Sequence, residues 1–151
     1  MKAAFFFLLW LASITSSAQI QSSTVYLGIS SSPNKGYFDI NPRIGYFFLD
    51  NWMGGLSFSY TSAIGSSTSI GGFTRYYIRG KFFLGGGYSS IRYTNGLSPS
   101  RQVNFESGYA FFVSKIVTIE PSLTYTKVIG DPSSSSNEVG FRFSLSFFIL
   151  P

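Results

Sequence analysis

Six charged side chains stand within segments of this chain built mainly of apolar and small polar residues: Asp39, Arg43, Arg75, Glu106, Glu120 and Arg142. Two kinds of chemistry are open to such a set. Neighbouring carboxylates can do acid–base work when one of them is left uncompensated and its proton affinity is displaced. Carboxylates matched to arginines instead form planar ion pairs that fill space and hold structure. The count here closes, three acids against three arginines, which favours the structural role.

The other raw materials of catalysis are thin. The sequence contains no histidine and no cysteine, which removes the usual zinc ligands, the Ser–His and Cys–His nucleophile pairs and the commonest general base. Ser32-Pro33-Asn34-Lys35 matches a Ser-x-x-Lys pattern by letter, but a proline lies inside it and none of the partner motifs is present. Gly85-Gly86-Gly87 is followed by no Lys-Ser/Thr pair and no helix start, so it is not a phosphate loop. Three glycines in a row mark a strand that bends or lets a bulky neighbour pass. The chain is therefore read as non-enzymatic, with no catalytic residue, metal ligand or cofactor assigned.

The elements that must hold the six charges follow a regular rhythm. Eight strands are expected over residues 24–31, 37–48, 52–61, 69–78, 81–92, 102–113, 116–127 and 137–148. Tight connections at Leu49-Asp50-Asn51, Arg79-Gly80 and Ser114-Lys115 alternate with longer loops at 32–36, 62–68, 93–101 and 128–136, which are rich in Ser, Gly, Pro and Asn. Within the strands apolar residues recur at every second position, the period that sends neighbours to opposite faces. Ile40, Pro42, Ile44, Tyr46 and Phe48 oppose Asp39, Asn41, Arg43 and Gly45; Val117, Ile119, Pro121, Leu123 and Tyr125 oppose Thr118, Glu120, Ser122 and Thr124. Phe141, Phe143, Leu145 and Phe147 likewise oppose Gly140, Arg142, Ser144 and Ser146. Pro42 and Pro121 each remove a ladder donor, so a bulge or a missing bond is expected at both. In the fourth and fifth strands Phe73, Tyr76, Tyr77, Phe82 and Phe83 leave the faces open.

Composition says what the apolar face meets. Charged residues make up 11% of the chain and aromatics 19%, where an ordinary globular protein carries ~25% charged residues. So few charges could hardly cover a water-facing surface. No segment after residue 18 approaches the apolar length of a spanning helix, and a closed β-barrel is the other structure that satisfies its backbone hydrogen bonds in lipid. The start of the chain, Met1-Lys2 followed by the apolar run 3–12 and Ser13-Ile14-Thr15-Ser16-Ser17-Ala18, has the layout of a signal peptide cleaved after Ala18. Residues 1–18 are thus assigned to export and 19–151 to an all-β, eight-stranded antiparallel up-and-down transmembrane barrel, held together without disulfides.

With the apolar face in lipid, the six charges fall in the lumen. An eight-stranded barrel has room inside for side chains and little else, so the six are expected to form a plug of salt bridges. Tyr60, Tyr88, Tyr93 and Tyr125 near the loop ends, and Tyr46, Trp52 and Phe147 near the tight turns, are expected to form two interfacial girdles. Short turns on outer-membrane barrels face the periplasm, which puts both termini there. The formal net charge of +5 does not point to nucleic acid, because the cations are scattered and an exported barrel would not meet it. Lys35, Arg92, Arg101 and Lys127 lie near the longer loops, where the outer leaflet of a Gram-negative cell presents anionic lipopolysaccharide.

Three stretches, 42–52 (PRIGYFFLDNW), 72–77 (GFTRYY) and 108–112 (GYAFF), resemble the small outer-membrane β-barrel domain proteins common in Bacteroidota, and the final strand is similar to the alternating aromatic signal read by the barrel assembly machinery. The resemblance implies an outer-membrane location and an OmpA- or OmpX-like eight-stranded barrel with a structural or surface-interaction role; outer-membrane lipid, lipopolysaccharide and, during insertion, that machinery are the expected partners, and a monomer is the expected state. The chain departs from the pattern in ending Ile149-Leu150-Pro151 rather than on an aromatic. Two other readings stay open at this stage: a minor channel or binder of small apolar ligands, and a soluble lipocalin-like barrel with its apolar face inward.

Overall fold

The structure, a computed structural model, describes residues 20–32, 39–62, 66–94, 98–129 and 137–149. The expected signal peptide, Lys35 and much of the four longer loops lie outside them. The strands are β1 (Val25–Ser31), β2 (Asp39–Leu49), β3 (Trp52–Thr61), β4 (Ser67–Ile78), β5 (Phe82–Tyr93), β6 (Ser100–Tyr109), β7 (Phe111–Phe112), β8 (Val117–Ile129) and β9 (Asn137–Ile149). Each pairs antiparallel with its sequence neighbour, except that β6 and β7 both pair with β8 and not with each other; β1 also pairs with β9, so the sheet closes on itself.

The sixth barrel strand is β6 and β7 together. Gly108 pairs with Ser122 and Phe111 with Ile119, one register along β8 whose ladder lapses at Tyr109 and Ala110. That register sets Tyr109 opposite Pro121, which has no N–H to give the ladder. Pro42 behaves in the same way. The β2–β3 ladder lapses at Asn41 and Pro42 but resumes at Arg43 opposite Ser57 without a slip. Both prolines therefore cost a bond and not a bulge; the irregularity in β2 lies further on, between Phe47 and Leu49.

The tight turns have the backbone their residues suggest. Asn51 sits at φ 62°, and Arg79 and Gly80 at 53° and 67°. Two successive positive φ values, closed by the Lys81 amide donating to Ile78 O at 3.2 Å, make the mirror-image turn whose twist suits a hairpin. At the third turn the Ser114 hydroxyl accepts from the amides of Ile116 and Val117, at 3.3 and 3.1 Å.

Residues 20–24 form a strap across the tight-turn rim. The Asn51 and Asp50 side chains accept from the amides of Ile20 and Ser22, at 3.1 and 2.8 Å, and the Asn51 amide returns a bond to Ile20 O. Both ends of the described chain thus meet at that rim, where the Phe148 amide also donates to Ile116 O.

Outside, the barrel wears a continuous apolar belt: Leu27, Ile29, Ile44, Leu56, Phe58, Ile70, Leu84, Phe105, Leu123, Phe143 and Leu145 are all exposed. Inside, Arg43, Arg75, Glu106, Glu120, Thr118, Ser122, Ser144 and Ser146 are buried. The faces left open in β4 and β5 are settled by their burial: Phe73, Tyr77 and Phe83 point inward, Tyr76 and Phe82 outward.

Candidate functional site

The interior of the barrel is layered, and the layer nearest the tight turns is apolar. Five aromatic doublets build it: Phe47-Phe48, Tyr76-Tyr77, Phe82-Phe83, Phe111-Phe112 and Phe147-Phe148. Strand alternation sends one ring of each doublet into the belt and the other into the lumen. Phe47, Tyr77, Phe83 and Phe148 are buried, with Phe112 half-buried against them, and Ile20 of the strap and Ala110 complete the floor. The rings touch in tilted pairs, Tyr77–Phe83 at 5.4 Å, Phe112–Phe148 at 5.6 Å and Phe47–Tyr77 at 5.7 Å between centroids.

Above the floor lies the charged layer, centred on Arg75, which is fully buried. Its Nε bonds Glu106 Oε1, while its Nη1 donates to Glu120 Oε2 at 2.8 Å and to the hydroxyls of Tyr26 and Tyr77 at 3.0 and 3.3 Å. The Phe83 ring stacks against the guanidinium at 4.4 Å. Glu120 also accepts from Tyr26 (3.2 Å), Tyr77 (3.1 Å) and Ser146 (3.0 Å). Glu106 is the second hub. Arg43 Nη1 donates to both its oxygens at 2.9 and 3.0 Å, and Arg142 Nη1 stands 3.7 Å away.

Arg43, Arg75, Glu106, Glu120 and Arg142, drawn from β2, β4, β6, β8 and β9, thus form one connected cluster. Asp39 lies at the loop-rim end of β2, half-buried and in register with Thr61. Toward that rim the layer loosens. Arg142 Nε and Nη1 and the hydroxyls of Ser122 and Ser144 are buried without a hydrogen-bond partner on the protein.

So many large side chains fit inside eight strands because glycines face them. A Cβ on Gly85 would lie 2.9 Å from both Arg75 Cγ and Glu106 Oε1, and one on Gly28 would lie 2.5 Å from the Tyr26 hydroxyl. In the triple glycine 85–87, Gly85 and Gly87 are therefore where bulky neighbours pass.

On the outer wall Tyr46, Trp52, Tyr60, Tyr88, Tyr125 and Phe147 are all exposed. Trp52 Nε1 donates to Thr74 Oγ1 at 2.8 Å. Tyr93 differs from the girdle expectation. It shares the inward positions of β5 with Ser89 and Ile91, is half-buried, and its hydroxyl bonds that of Ser100 at 3.0 Å across the hairpin.

Tyr26, Tyr77 and the inward aromatics were not singled out as interior residues by sequence reasoning. The doublets are the signal that could have found them, since strict alternation cannot place two adjacent rings on one face. Among the described residues no group of His, Cys, Asp and Glu is arranged to hold a metal ion.

A closed eight-stranded meander, apolar outside and filled inside, is the architecture of the small outer-membrane β-barrels. The solved structures it is similar to are β-barrels, natural outer-membrane ones among them. The N-terminal β-barrel domain of Pseudomonas aeruginosa OprF superposes with a TM-score of 0.69 at 15% identity, covering 85% of this chain and 98% of that one. The Yersinia pestis outer membrane protein Ail, in a phospholipid bilayer nanodisc, gives 0.57 at 13% identity over 85% and 99%. Neisserial surface protein A gives 0.56 at 18% identity over 83% and 92%. At these identities the likeness is one of fold. No family model matches the chain, and no curated protein matches it by sequence.

Proposed function

We propose that the protein is a non-enzymatic barrel of a Gram-negative outer membrane, with a structural or surface-contact role and a lumen closed by its own side chains. One observation carries this reading: a complete belt of exposed Leu, Ile, Phe and Tyr surrounds a barrel whose interior is occupied by buried aromatics and ion pairs. The belt suits lipid and no aqueous phase. The filled interior supports a closed lumen, since Phe47, Tyr77, Phe83 and Phe148 of the floor are each at most 2% exposed. A lipocalin-like arrangement would reverse the two faces.

The tight-turn rim, with both ends of the described chain, faces the periplasm in this reading, and the longer loops face out. The six-residue lumen set serves as a plug, and the outward aromatics hold the barrel at headgroup depth. Lipopolysaccharide is the partner at the loop rim, the barrel assembly machinery acts during insertion, and the folded protein is a monomer. Placement among the barrel-domain proteins common in Bacteroidota is supported by the sequence stretches 42–52, 72–77 and 108–112.

Fractionation tests the location: the mature protein should stay with membranes and need detergent for extraction, and its gel mobility should change on boiling. Planar-bilayer recording tests the plug, which predicts no steady conductance. Recovery in the aqueous phase, or a large stable current, would sink the corresponding half of the proposal.

A further inference from the structure

The outer wall is not uniform. Where β5, β6, β8 and β9 run side by side it carries a groove of about 440 Å³, lined by Leu84, Phe105, Ser107, Leu123, Tyr125 and Val139. Register explains the recess. Ser107 sits between Leu84 and Leu123; in the next row Phe105 sits between Gly86 and Tyr125, and Tyr125 pairs with Val139. Ser107 and Gly86 are small outward residues among large ones. Gly85, Glu106 and Thr124 also border the groove, but they belong to the inward positions, so their backbone forms its floor.

The rows nearer the loop rim change character. Lys127 pairs with Val103, and Arg101 pairs with Ser90 and Ile129. Both cations are exposed, as is Arg92 on β5. At a rise of ~3.3 Å per residue, Lys127 lies roughly 7 Å and Arg101 roughly 13 Å along the wall from the Phe105–Tyr125 row. Among the described residues, no carboxylate occupies an outward position in these rows, and β1 to β4 carry no outward cation in their loop-side halves. The cations are concentrated beside the groove.

An apolar slot with two cations one and two rows above it matches a lipid that has an acyl chain and a phosphate joined by a short polar spacer. We propose that this quadrant is a specific site for lipid A, the phosphorylated and acylated anchor of lipopolysaccharide, with one acyl chain seated between Phe105, Leu123 and Val139 and a phosphate held by Lys127 and Arg101. The choice of lipid A over a phospholipid rests on the orientation proposed above, which puts the loop rim in the outer leaflet. The groove fixes the lipid's position on the wall, and the fixed position brings the phosphate to both cations at once.

The test uses the mature protein in nanodiscs, with bound lipid counted by native mass spectrometry in competition between lipid A, dephosphorylated lipid A and phosphatidylglycerol. Wild type should retain lipid A in preference to the other two. Removing both cations (Lys127→Gln with Arg101→Gln) should weaken retention about 30-fold, roughly fivefold for each charge near a membrane surface. Filling the recess (Ser107→Phe) leaves both cations in place and faces only lipid, yet should weaken retention on the order of tenfold through lost chain packing. Unchanged lipid A retention in either variant overturns the site, as does phosphatidylglycerol binding equal to lipid A. Gel mobility before and after boiling, run on every sample, separates the two readings: a wild-type chain that does not insert fails the proposed function, whereas an inserted barrel without lipid A preference fails this inference alone.

Discussion

Replacing Glu106 by Gln removes one charge and almost no volume, and the structure says where the cost falls. Glu106 is 6% exposed and receives Arg43 at 2.9 and 3.0 Å, Arg75 through its Nε, and Arg142 at 3.7 Å. Arg75 keeps a second carboxylate, Glu120 at 2.8 Å. Among the ion pairs described here, Arg43 pairs with Glu106 alone. Leaving a buried guanidinium without its counter-charge costs about 3–5 kcal/mol, a large share of a typical total stability of ~5–15 kcal/mol. With a urea dependence of ~2 kcal/mol per molar, the unfolding midpoint of Glu106→Gln should fall by roughly 2 M. The assay is equilibrium urea unfolding in phospholipid vesicles, followed by the fluorescence of Trp52, the sole tryptophan after residue 18. Adding Arg43→Met should restore part of the loss, because the stranded charge is then gone and its apolar replacement packs against Phe73, whose ring centroid lies 5.2 Å from the guanidinium carbon. A midpoint within ~0.5 M of wild type, about 1 kcal/mol on the same dependence, would refute the view that these charges are held in a low-dielectric interior.

Arg142→Met should be nearly neutral in the same assay, within ~1 kcal/mol, since two of its nitrogens are buried without a hydrogen-bond partner and Glu106 retains Arg43 and Arg75. Phe148→Ala should cost about 3–5 kcal/mol, because its ring touches Tyr26, Phe47, Tyr77 and Phe112; a bilayer recording of this variant, with the floor thinned, is the strongest challenge to the plug. Gly85→Ala should destabilise by ~1–3 kcal/mol, its Cβ forced to 2.9 Å from Arg75 and Glu106, while Gly86→Ala, with nothing nearer than 3.7 Å, should be tolerated to within ~1 kcal/mol. Asn51→Ala should cost about 1–2 kcal/mol in midpoint stability, losing both a residue suited to φ 62° and the acceptor for the Ile20 amide.

Much of the barrel was legible because lipid demands one unbroken apolar face, and strict alternation in β2, β8 and β9 announces it. The third strand falls at 52–61 as expected, and most of the others differ by one or two residues at their ends. The sixth departs further, its ladder with β8 lapsing at Tyr109 and Ala110, where Pro121 on the opposing strand has no donor to give. The floor of the lumen was hidden for a physical reason. At the tight-turn end both faces of the wall are apolar, so Tyr76-Tyr77 and Phe82-Phe83 carry no contrast between inside and outside, and only the burial of Tyr77 and Phe83 separates them. The arginines and glutamates were easier, since a charge in mid-strand cannot face hydrocarbon. Their partners could not be read. Which acid meets which arginine depends on the depth of each strand in the barrel, and Glu106 becomes a hub because Gly85 leaves it space that no alternation rule reveals.

The charged layer also bears on how such a barrel comes into being. Its members belong to strands far apart along the chain, and Tyr26 of β1 reaches Ser146 of β9 and Glu120 of β8 across the seam that closes last in sequence. A half-wound sheet would hold bare arginines and carboxylates over an open trough, with nothing opposite to neutralise them. A closed barrel with β1 and β9 in register removes that cost, so the polar interior favours the correctly registered ring over a misregistered one.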